Sequence, residues 1–389
     1  MLGLYRDYAF LPVIVLGVLY AALYFIRQCR HGSDYFIDGK ISINILIRRA
    51  IARYMVWLVV LYAGYQFYLL FPIYNTVQHH PTHRLFESFL HWYLWLGIPY
   101  FVLTLTFKAS RREDFYDPAV RMIHIVKQII LRALRGDNRA SVFYVLRNRY
   151  NRKIFLNWVM RAYFIPVMVE QIAPTTINSL DSLYRELNGH DYMALMLMLI
   201  AILLLAEILN VAVAYCLESR WLENRSRSID LTVGGWLVCV SCYPPLNELT
   251  TTAFVFAPHL SDSSTEALLF SNEIFFYSAK TLEALLLGVL VYIELTLGTS
   301  MANITFKKLQ TRGPYSLVRH PGTTFKLLFW LAQSFIYKKF WTVKYLFGFV
   351  MWGSIYILRA LSEERHLSKF REYQAYRKKV KKRFIPGIF

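Results

Sequence analysis

Two short polar clusters interrupt the apolar C-terminal part of this sequence. The first, GPYSLVRHP, places Tyr315, Arg319 and His320 in one proline-bounded turn, and the second places Glu363 beside Glu364. An arginine can bind a carboxylate through two parallel hydrogen bonds, an acid can bind an ammonium, and the face of a tyrosine can hold a cation. Side chains of these types could together bind a polar ligand that carries charges of both signs.

The spacing of the two clusters predicts that they meet. About 40 residues separate His320 from Glu363, which is enough for two helices of roughly 20 residues that cross a membrane and return. We place these helices at Thr324–Tyr337 and Trp341–Leu361. Pro321 fixes its own backbone and restricts the residue before it, so the first cluster forms a stiff turn. Both clusters are therefore expected at the same face of the membrane.

The rest of the chain is typical of a helical membrane protein. Of its 389 residues, 56% are hydrophobic and 18% are charged, against roughly 25% charged residues in soluble domains. Apolar runs of about 20 residues recur, whereas the short alternating segments typical of strands do not. We predict an all-α, polytopic helical integral membrane protein with nine spans. They are Tyr8–Ile26, Tyr54–Tyr74, Phe89–Phe107, Phe155–Ala173, Met193–Cys216, Leu231–Thr251, Phe276–Thr299, Thr324–Tyr337 and Trp341–Leu361.

The distribution of basic residues predicts the orientation of these spans. The formal net charge is +19, and the lysines and arginines concentrate in alternate segments between the apolar runs. Basic segments face the cytoplasm and anionic lipid, which puts the N-terminus outside and the C-terminus in the cytoplasm. We therefore predict membrane lipids as partners and no nucleic acid. The predicted location is the plasma or inner membrane, with the active site facing the cytoplasm.

The chain divides by function into an N-terminal transmembrane region, residues 1–230, whose role is unknown, and a C-terminal membrane domain with a cytoplasmic tail, residues 231–389. A basic amphipathic helix is expected within the first part, near residues 117–136. Asp117 can cap it, Pro118 suits its first position and Gly136 can end it. This helix could lie in the membrane interface or pack against other cytoplasmic segments.

Several ionisable or amide side chains lie inside the predicted spans. Such groups usually pair between helices, and less often they line a substrate cavity. They are Arg161, Glu170, Glu207, Asn210, Glu283 and Glu294.

No metal site is predicted. Cys239 and Cys242 lie in an apolar run without a second cysteine pair, which favours packing thiols. His79, His80 and His83 share an outer loop without a matching acid or cysteine.

The two polar clusters and the tail that follows them resemble a known family. The pattern G-x-Y-x-x-x-R-H-P precedes an apolar hairpin, E-E-x-x-L follows it, and a tail with Tyr373 and Tyr376 ends in Ile385-Pro386. This arrangement resembles the isoprenylcysteine carboxyl methyltransferases, which are similar in turn to the membrane phospholipid methyltransferases. The resemblance covers roughly residues 307–389 and does not extend to the first 230 residues.

The resemblance implies a transferase that uses S-adenosylmethionine on the cytoplasmic side, partly enclosed by the C-terminal tail. By position, Arg359 and Glu363 are the implied catalytic residues. The implied cofactor-binding residues are Tyr315, Arg319, His320, Pro321, Glu363, Glu364, Tyr373 and Tyr376. Methyl transfer from a sulfonium needs alignment and desolvation more than a strong base, so a water-excluding pocket of this kind is compatible with it.

The acceptor is expected to be hydrophobic or lipid-linked, and its methylated group could be a carboxylate, an amine or a hydroxyl. Two other functions stay open. One is an NADPH-dependent reductase of the sterol-reductase type, and the other is a non-catalytic transporter or scaffold. The family pattern continues with a tyrosine and a glycine where this sequence has Thr323 and Phe325, and the tail has Phe370-Arg371 instead of Phe-Gly. The altered segment Gly322–Phe325 favours the non-catalytic scaffold.

Overall fold

The computed structural model describes residues 42–75, 80–105, 118–137, 139–189, 192–216, 224–247, 268–270 and 272–385, together with isolated positions between 18 and 26. The chain forms two compact units. One contains Met1–Ala173 and Ala212–Leu231, and the other contains Pro174–Val211 and Thr232–Phe389. Both polar clusters lie in the second unit. The predicted division into residues 1–230 and 231–389 concerns function and stays a prediction.

The described residues are overwhelmingly helical, which confirms the predicted all-α class. The only strands among them are two residues long, β1 (Ser228–Ile229) and β2 (Thr305–Phe306). The helices of the described residues are α1 (Ile43–Leu69), α2 (His80–Leu105), α3 (Pro118–Leu134), α4 (Val142–Leu146), α5 (Arg149–Gly189), α6 (Tyr192–Cys216), α7 (Val233–Val240), α8 (Glu273–Leu297), α9 (Pro321–Ser334), α10 (Val343–Leu367) and α11 (Arg371–Lys379).

Three helices in the described part of the chain are long and apolar enough to cross a membrane. They are Tyr192–Tyr215, Glu273–Ser300 and Val343–Leu367, which correspond to the fifth, seventh and ninth predicted spans. The count of nine spans is not confirmed, and the orientation of the chain stays a prediction.

The other predicted spans differ from these three in length, in charge or in coverage. Helix α9 has 14 residues, about 21 Å, and therefore falls short of a hydrocarbon core of roughly 30 Å. Helix α7 has only 8 residues, and a turn through Pro244-Pro245 follows it. Helix α1 begins at Ile43, well before the predicted Tyr54, and so includes three arginines. Most of the first predicted span, Tyr8–Ile26, lies outside the described residues.

The first unit contains the predicted amphipathic helix, which the structure places at Pro118–Leu134 as α3. Its buried Ile125 joins a cluster with Val56 of α1 and Trp158 of α5, so one apolar face of this helix packs within the unit. Gly136 ends α3 as expected, because its φ of 65° is a left-handed conformation that favours glycine. Asp117, the predicted cap, lies outside the described residues.

The second unit is built around α8, α9 and α10. Leu287 and Leu290 of α8 are fully buried against Phe329 of α9. Trp330 of α9 contacts Trp352 of α10, and this contact packs α9 against α10. Apolar packing along this length holds the N-terminus of α9 near the C-terminus of α10, where the two polar clusters lie.

Candidate functional site

Glu364 is the point at which the two polar clusters meet. The Nε of Arg319 donates to its Oε1 at 2.6 Å, and the Nε2 of His320 lies 3.1 Å from the same oxygen. The Nε of Arg383, in the tail, donates to Oε2 at 3.2 Å. Both carboxylate oxygens of this 5% exposed side chain are therefore engaged. The meeting of the clusters, predicted from their spacing, is confirmed.

The first cluster also holds the C-terminal tail by its backbone. The amide nitrogens of Arg319 and His320 donate to the carbonyls of Lys382 and Arg383, at 3.1 and 2.8 Å. The Nη1 of Arg319 donates to the carbonyls of Val380 and Lys381, at 2.8 and 2.7 Å. Two of its three guanidinium nitrogens are thus used within the protein, so the main role of Arg319 in this geometry is to fix the tail beside α9.

A cavity of about 170 Å³ lies next to this junction. Its walls are the end of α8, the loop from residue 300 to residue 310, the start of α9, the C-terminal end of α10, and α11. The lining residues with polar side chains are Glu294, Ser300, Thr305, Lys307, Lys308, Gln310, Tyr315, Arg319, His320, Thr323, Lys326, Tyr356, Arg359, Glu363, Tyr373 and Tyr376. All of them belong to the second unit.

Three tyrosines form an aromatic wall of the cavity. The hydroxyl of Tyr376 donates to the backbone carbonyl of Tyr315 at 2.6 Å, which ties the tail helix to the first cluster. The buried hydroxyl of Tyr373 has no hydrogen-bond partner among the described residues. Burial raises the pKa of all three phenols. Glu363 adds to the effect on Tyr315, and Glu363 and Glu364 together add to the effect on Tyr373 and Tyr376. The three hydroxyls are therefore neutral at physiological pH.

Arg359 is held between aromatic rings at another wall of the cavity. Its guanidinium lies 5.5 Å from the ring centroid of Tyr243 and 5.7 Å from that of Tyr356, distances at which a cation is attracted to a ring face. Its Nη2 donates to the side chain of Asn303. Within the described residues it makes no ion pair with a carboxylate, so it presents a positive charge to the cavity.

Glu363 differs from its neighbour Glu364 in exposure, in its position at the cavity and in ion pairing. It is exposed, it lines the cavity, and it has no ion-pair partner among the described residues. Its carboxylate is therefore available to a cationic group.

A partly buried charge cluster, two of whose members line the cavity, was not assigned to the site from the sequence. The Nζ of Lys326, on α9, lies 2.7 Å from Oε1 of Glu207, on α6. The same Nζ lies 3.4 Å from Oε1 of Glu294, on α8. Interhelical pairing was expected of the two acids, and Glu294 also lines the cavity. Lys326 could have been found from the sequence, because a lysine inside an apolar segment usually pairs with an acid or lines a cavity.

Most of the predicted site residues line the cavity, and two do not. Tyr315, Arg319, His320, Arg359, Glu363, Tyr373 and Tyr376 line it. Pro321 instead occupies the first turn of α9, where its missing N–H costs nothing. Glu364 lies behind the wall and positions Arg319 and His320. The loop from residue 300 to residue 310 was missed, because its residues line the cavity through their position and form no motif.

The residues at the two departures from the family pattern have identifiable neighbours. Thr323 lines the cavity where the pattern has a tyrosine, while Phe325 packs against the apolar cluster of α8 and α9. The hydroxyl of the intervening Thr324 donates to the carbonyl of Phe384 at 2.9 Å. This segment is thus adapted to holding the tail, and the aromatic wall comes from the three tyrosines.

The donor set of the cavity fits S-adenosylmethionine, the cofactor that the resemblance implies. Glu363 suits the cofactor's ammonium, the unpartnered Tyr373 hydroxyl can bond a polar group, and tyrosine rings suit the adenine ring and the sulfonium. The volume of about 170 Å³ is below the range of roughly 300–1,000 Å³ usual for pockets that bury ligands of drug size. A ligand of nucleoside size would therefore extend into the opening or displace part of the tail.

The comparison with known families agrees with the position of this site. Residues 280–374 match the family model described as phospholipid methyltransferase, a range that includes every predicted site residue except Tyr376. No curated protein and no solved structure gives a match. This family domain and the three apolar helices indicate association with a membrane. The C-terminal part of the chain, residues 280–374, is therefore similar to the phospholipid methyltransferases, and the resemblance read from the two polar clusters is confirmed over that part.

Proposed function

We propose that this protein is a membrane methyltransferase that transfers the methyl group of S-adenosylmethionine to a lipidic or lipid-attached acceptor. The family domain suggests lipid methylation in general. The observation that carries the finer proposal is the cavity beside Glu364, where Glu363 and Arg359 present unpaired charges of opposite sign among the described residues. A ligand with both a cationic and an anionic group complements such a cavity.

Four residues that line the cavity have distinct parts in this proposal. Glu363 binds the ammonium of the methyl donor, and Tyr315 and Tyr373 present ring faces to its cationic and aromatic groups. Arg359, fixed between Tyr243 and Tyr356, orients an anionic group of the acceptor. When bound, S-adenosylmethionine supplies an electrophilic methyl group on a sulfonium.

Arg319, His320 and Glu364 act by holding the tail over the cavity. Because the tail carries Tyr373 and Tyr376, its attachment excludes water from the place where the methyl group transfers. Exclusion of water strengthens every electrostatic interaction inside the cavity. The acceptor would enter from the bilayer, beside α8 and α10, which are apolar enough to lie in it.

Calorimetry on the full chain in detergent tests the proposal, with S-adenosylmethionine, its demethylated product and NADPH as ligands. We expect binding of the first two and none of NADPH. Glu363→Gln should weaken donor binding by roughly tenfold or more, because a charge-assisted hydrogen bond contributes about 1.5–3 kcal/mol. Glu372→Gln, an exposed acid outside the cavity, is the matched control. Binding of NADPH alone would indicate a reductase, and binding of none of the three would indicate a scaffold.

A further inference from the structure

We propose that Glu294 accepts the proton that the acceptor loses on methylation, so that the reacting group of the acceptor is an N–H or O–H group and not a carboxylate. This inference rests on the proposed methyl transfer, and it concerns the partly buried charge cluster of Glu207, Glu294 and Lys326, two of whose members line the cavity.

The position of Glu294 gives it access to a ligand. Its side chain is 9% exposed, and it lines the cavity. Its Oε1 faces Lys326, while its buried Oε2 has no hydrogen-bond partner among the described residues. A buried carboxylate oxygen without a partner is costly, and a proton on this carboxylate relieves that cost.

The cluster has no net charge when one of its two acids carries a proton. Lys326 is the single cation within 4 Å of either acid among the described residues, and it faces both. With both acids ionised the cluster carries one negative charge in a buried place, which is unfavourable. Glu207 lies closer to Lys326 than Glu294 does, at 2.7 against 3.4 Å. A proton on Glu294 therefore leaves one well-paired ion pair and no net charge.

A hydrogen bond ties the backbone at Glu294 to α6. The Nδ2 of Asn210, on α6, donates to the backbone carbonyl of Glu294 at 3.2 Å. The other charged or titratable side chains that line the same cavity are Lys307, Lys308, Tyr315, Arg319, His320, Tyr356, Arg359, Glu363, Tyr373 and Tyr376. Among the described residues, none of these forms an ion pair with Glu294, whereas Lys326 does.

The proposed methyl transfer forms one bond, breaks one bond and releases one proton. A nitrogen or oxygen of the acceptor forms a bond to the methyl carbon, the bond from that carbon to sulfur breaks, and its electron pair stays on sulfur. The proton of the acceptor moves to the carboxylate of Glu294. A carboxylate acceptor would bring a second negative charge to the cluster and has no proton to give, which is why we assign an N–H or O–H group.

The test compares wild type, Glu294→Gln and Glu207→Gln for methyl transfer and for donor binding. Radiolabelled transfer is measured to vesicles that contain an amino lipid, a hydroxyl lipid or a prenylated carboxylate. For wild type we expect transfer to an amino or hydroxyl lipid, with a rate that rises with pH as Glu294 loses its proton. Glu294→Gln should lower kcat by about 10²-fold or more, abolish that rise, and leave donor affinity unchanged.

Glu207→Gln is the matched variant, since it removes a carboxylate from the same lysine without removing one from the cavity. It should keep the rise of rate with pH and move it toward acid pH, because Glu294 alone then faces Lys326. If Glu294→Gln does not fold, Glu294→Asp gives the same test, with a lower kcat and the pH dependence retained.

Four results would overturn the proposal. Glu294→Gln could transfer at the wild-type rate with the wild-type pH dependence, it could lose donor binding, Glu294→Asp could match wild type in kcat, or the prenylated carboxylate could be the methylated acceptor. A wild-type protein that binds no methyl donor is a separate outcome, and it refutes the proposed function together with this inference.

Discussion

The replacement of Glu364 by glutamine tests whether this acid is what holds the tail over the cavity. The change keeps the shape of the side chain but removes its charge, while Arg319, only 4% exposed in its side chain, remains buried. Breaking a buried ion pair by removing one partner costs about 3–5 kcal/mol. The second arginine, Arg383, is 37% exposed, so solvent reduces its contribution to below about 1 kcal/mol. We therefore expect the free energy that keeps the tail attached to fall by about 3 kcal/mol.

Amide hydrogen exchange measures that loss directly. The amide of His320 donates to the carbonyl of Arg383 at 2.8 Å, so it exchanges only when the tail detaches. A loss of about 3 kcal/mol raises its exchange rate by roughly 10²-fold, because each 1.4 kcal/mol is a factor of ten. Glu363→Gln is the control at the adjacent position: it should weaken donor binding and leave this exchange rate unchanged. Equal protection of His320 in wild type and Glu364→Gln would refute the role assigned to Glu364.

Three further predictions concern the tail and the first unit. Tyr376→Phe should lower the free energy of unfolding by about 1–2 kcal/mol in chemical denaturation, because it leaves the carbonyl of Tyr315 without its 2.6 Å donor. Tyr373→Phe is the control and should lower it less, because the Tyr373 hydroxyl has no partner in the described part of the chain. Stability should be lost as the pH rises above about 10, since burial raises the pKa of Tyr373 and of Tyr376 above the 10.0 of an exposed tyrosine. The neutral phenols contribute their full stability at pH values below the pKa of an unfolded tyrosine. In a denaturation series from pH 9 to pH 11, Tyr373→Phe should therefore lose less stability with rising pH than wild type does. Gly136→Ala should destabilise the end of α3 by about 1 kcal/mol, measured by thermal unfolding, because its φ of 65° is unfavourable for alanine.

The junction of the two clusters could be predicted because it follows from spacing alone. His320 and Glu364 are separated by the length of a helical hairpin, and helix geometry brings such positions together whatever the side chains between them. The use of Arg319 could not be predicted in the same way. Two of its hydrogen bonds go to backbone carbonyls of the tail, and a carbonyl is present at every residue and so gives no signal in a sequence.

The number of spans was harder to predict because hydropathy does not show where a helix begins or ends. Helix α1 continues back to Ile43 through three arginines, and α7 ends at Val240 although the apolar run goes on. The role of Lys326 was missed for a related reason. A single lysine hardly changes the mean hydropathy of its segment, and its two partners lie on α6 and α8, 119 and 32 positions away in the sequence.

The 14 residues of α9 have a consequence for the lipid around the protein. In the predicted orientation, a helix of about 21 Å that starts at the cytoplasmic side ends roughly 9 Å before the far side of a hydrocarbon core of about 30 Å. The turn at Lys338–Trp341 then reaches the opposite headgroups only if its lysines extend outward or the bilayer becomes thinner there. Such a mismatch favours thin membranes, so the rate of the proposed methylation should decrease as the acyl chains of the surrounding lipid are lengthened.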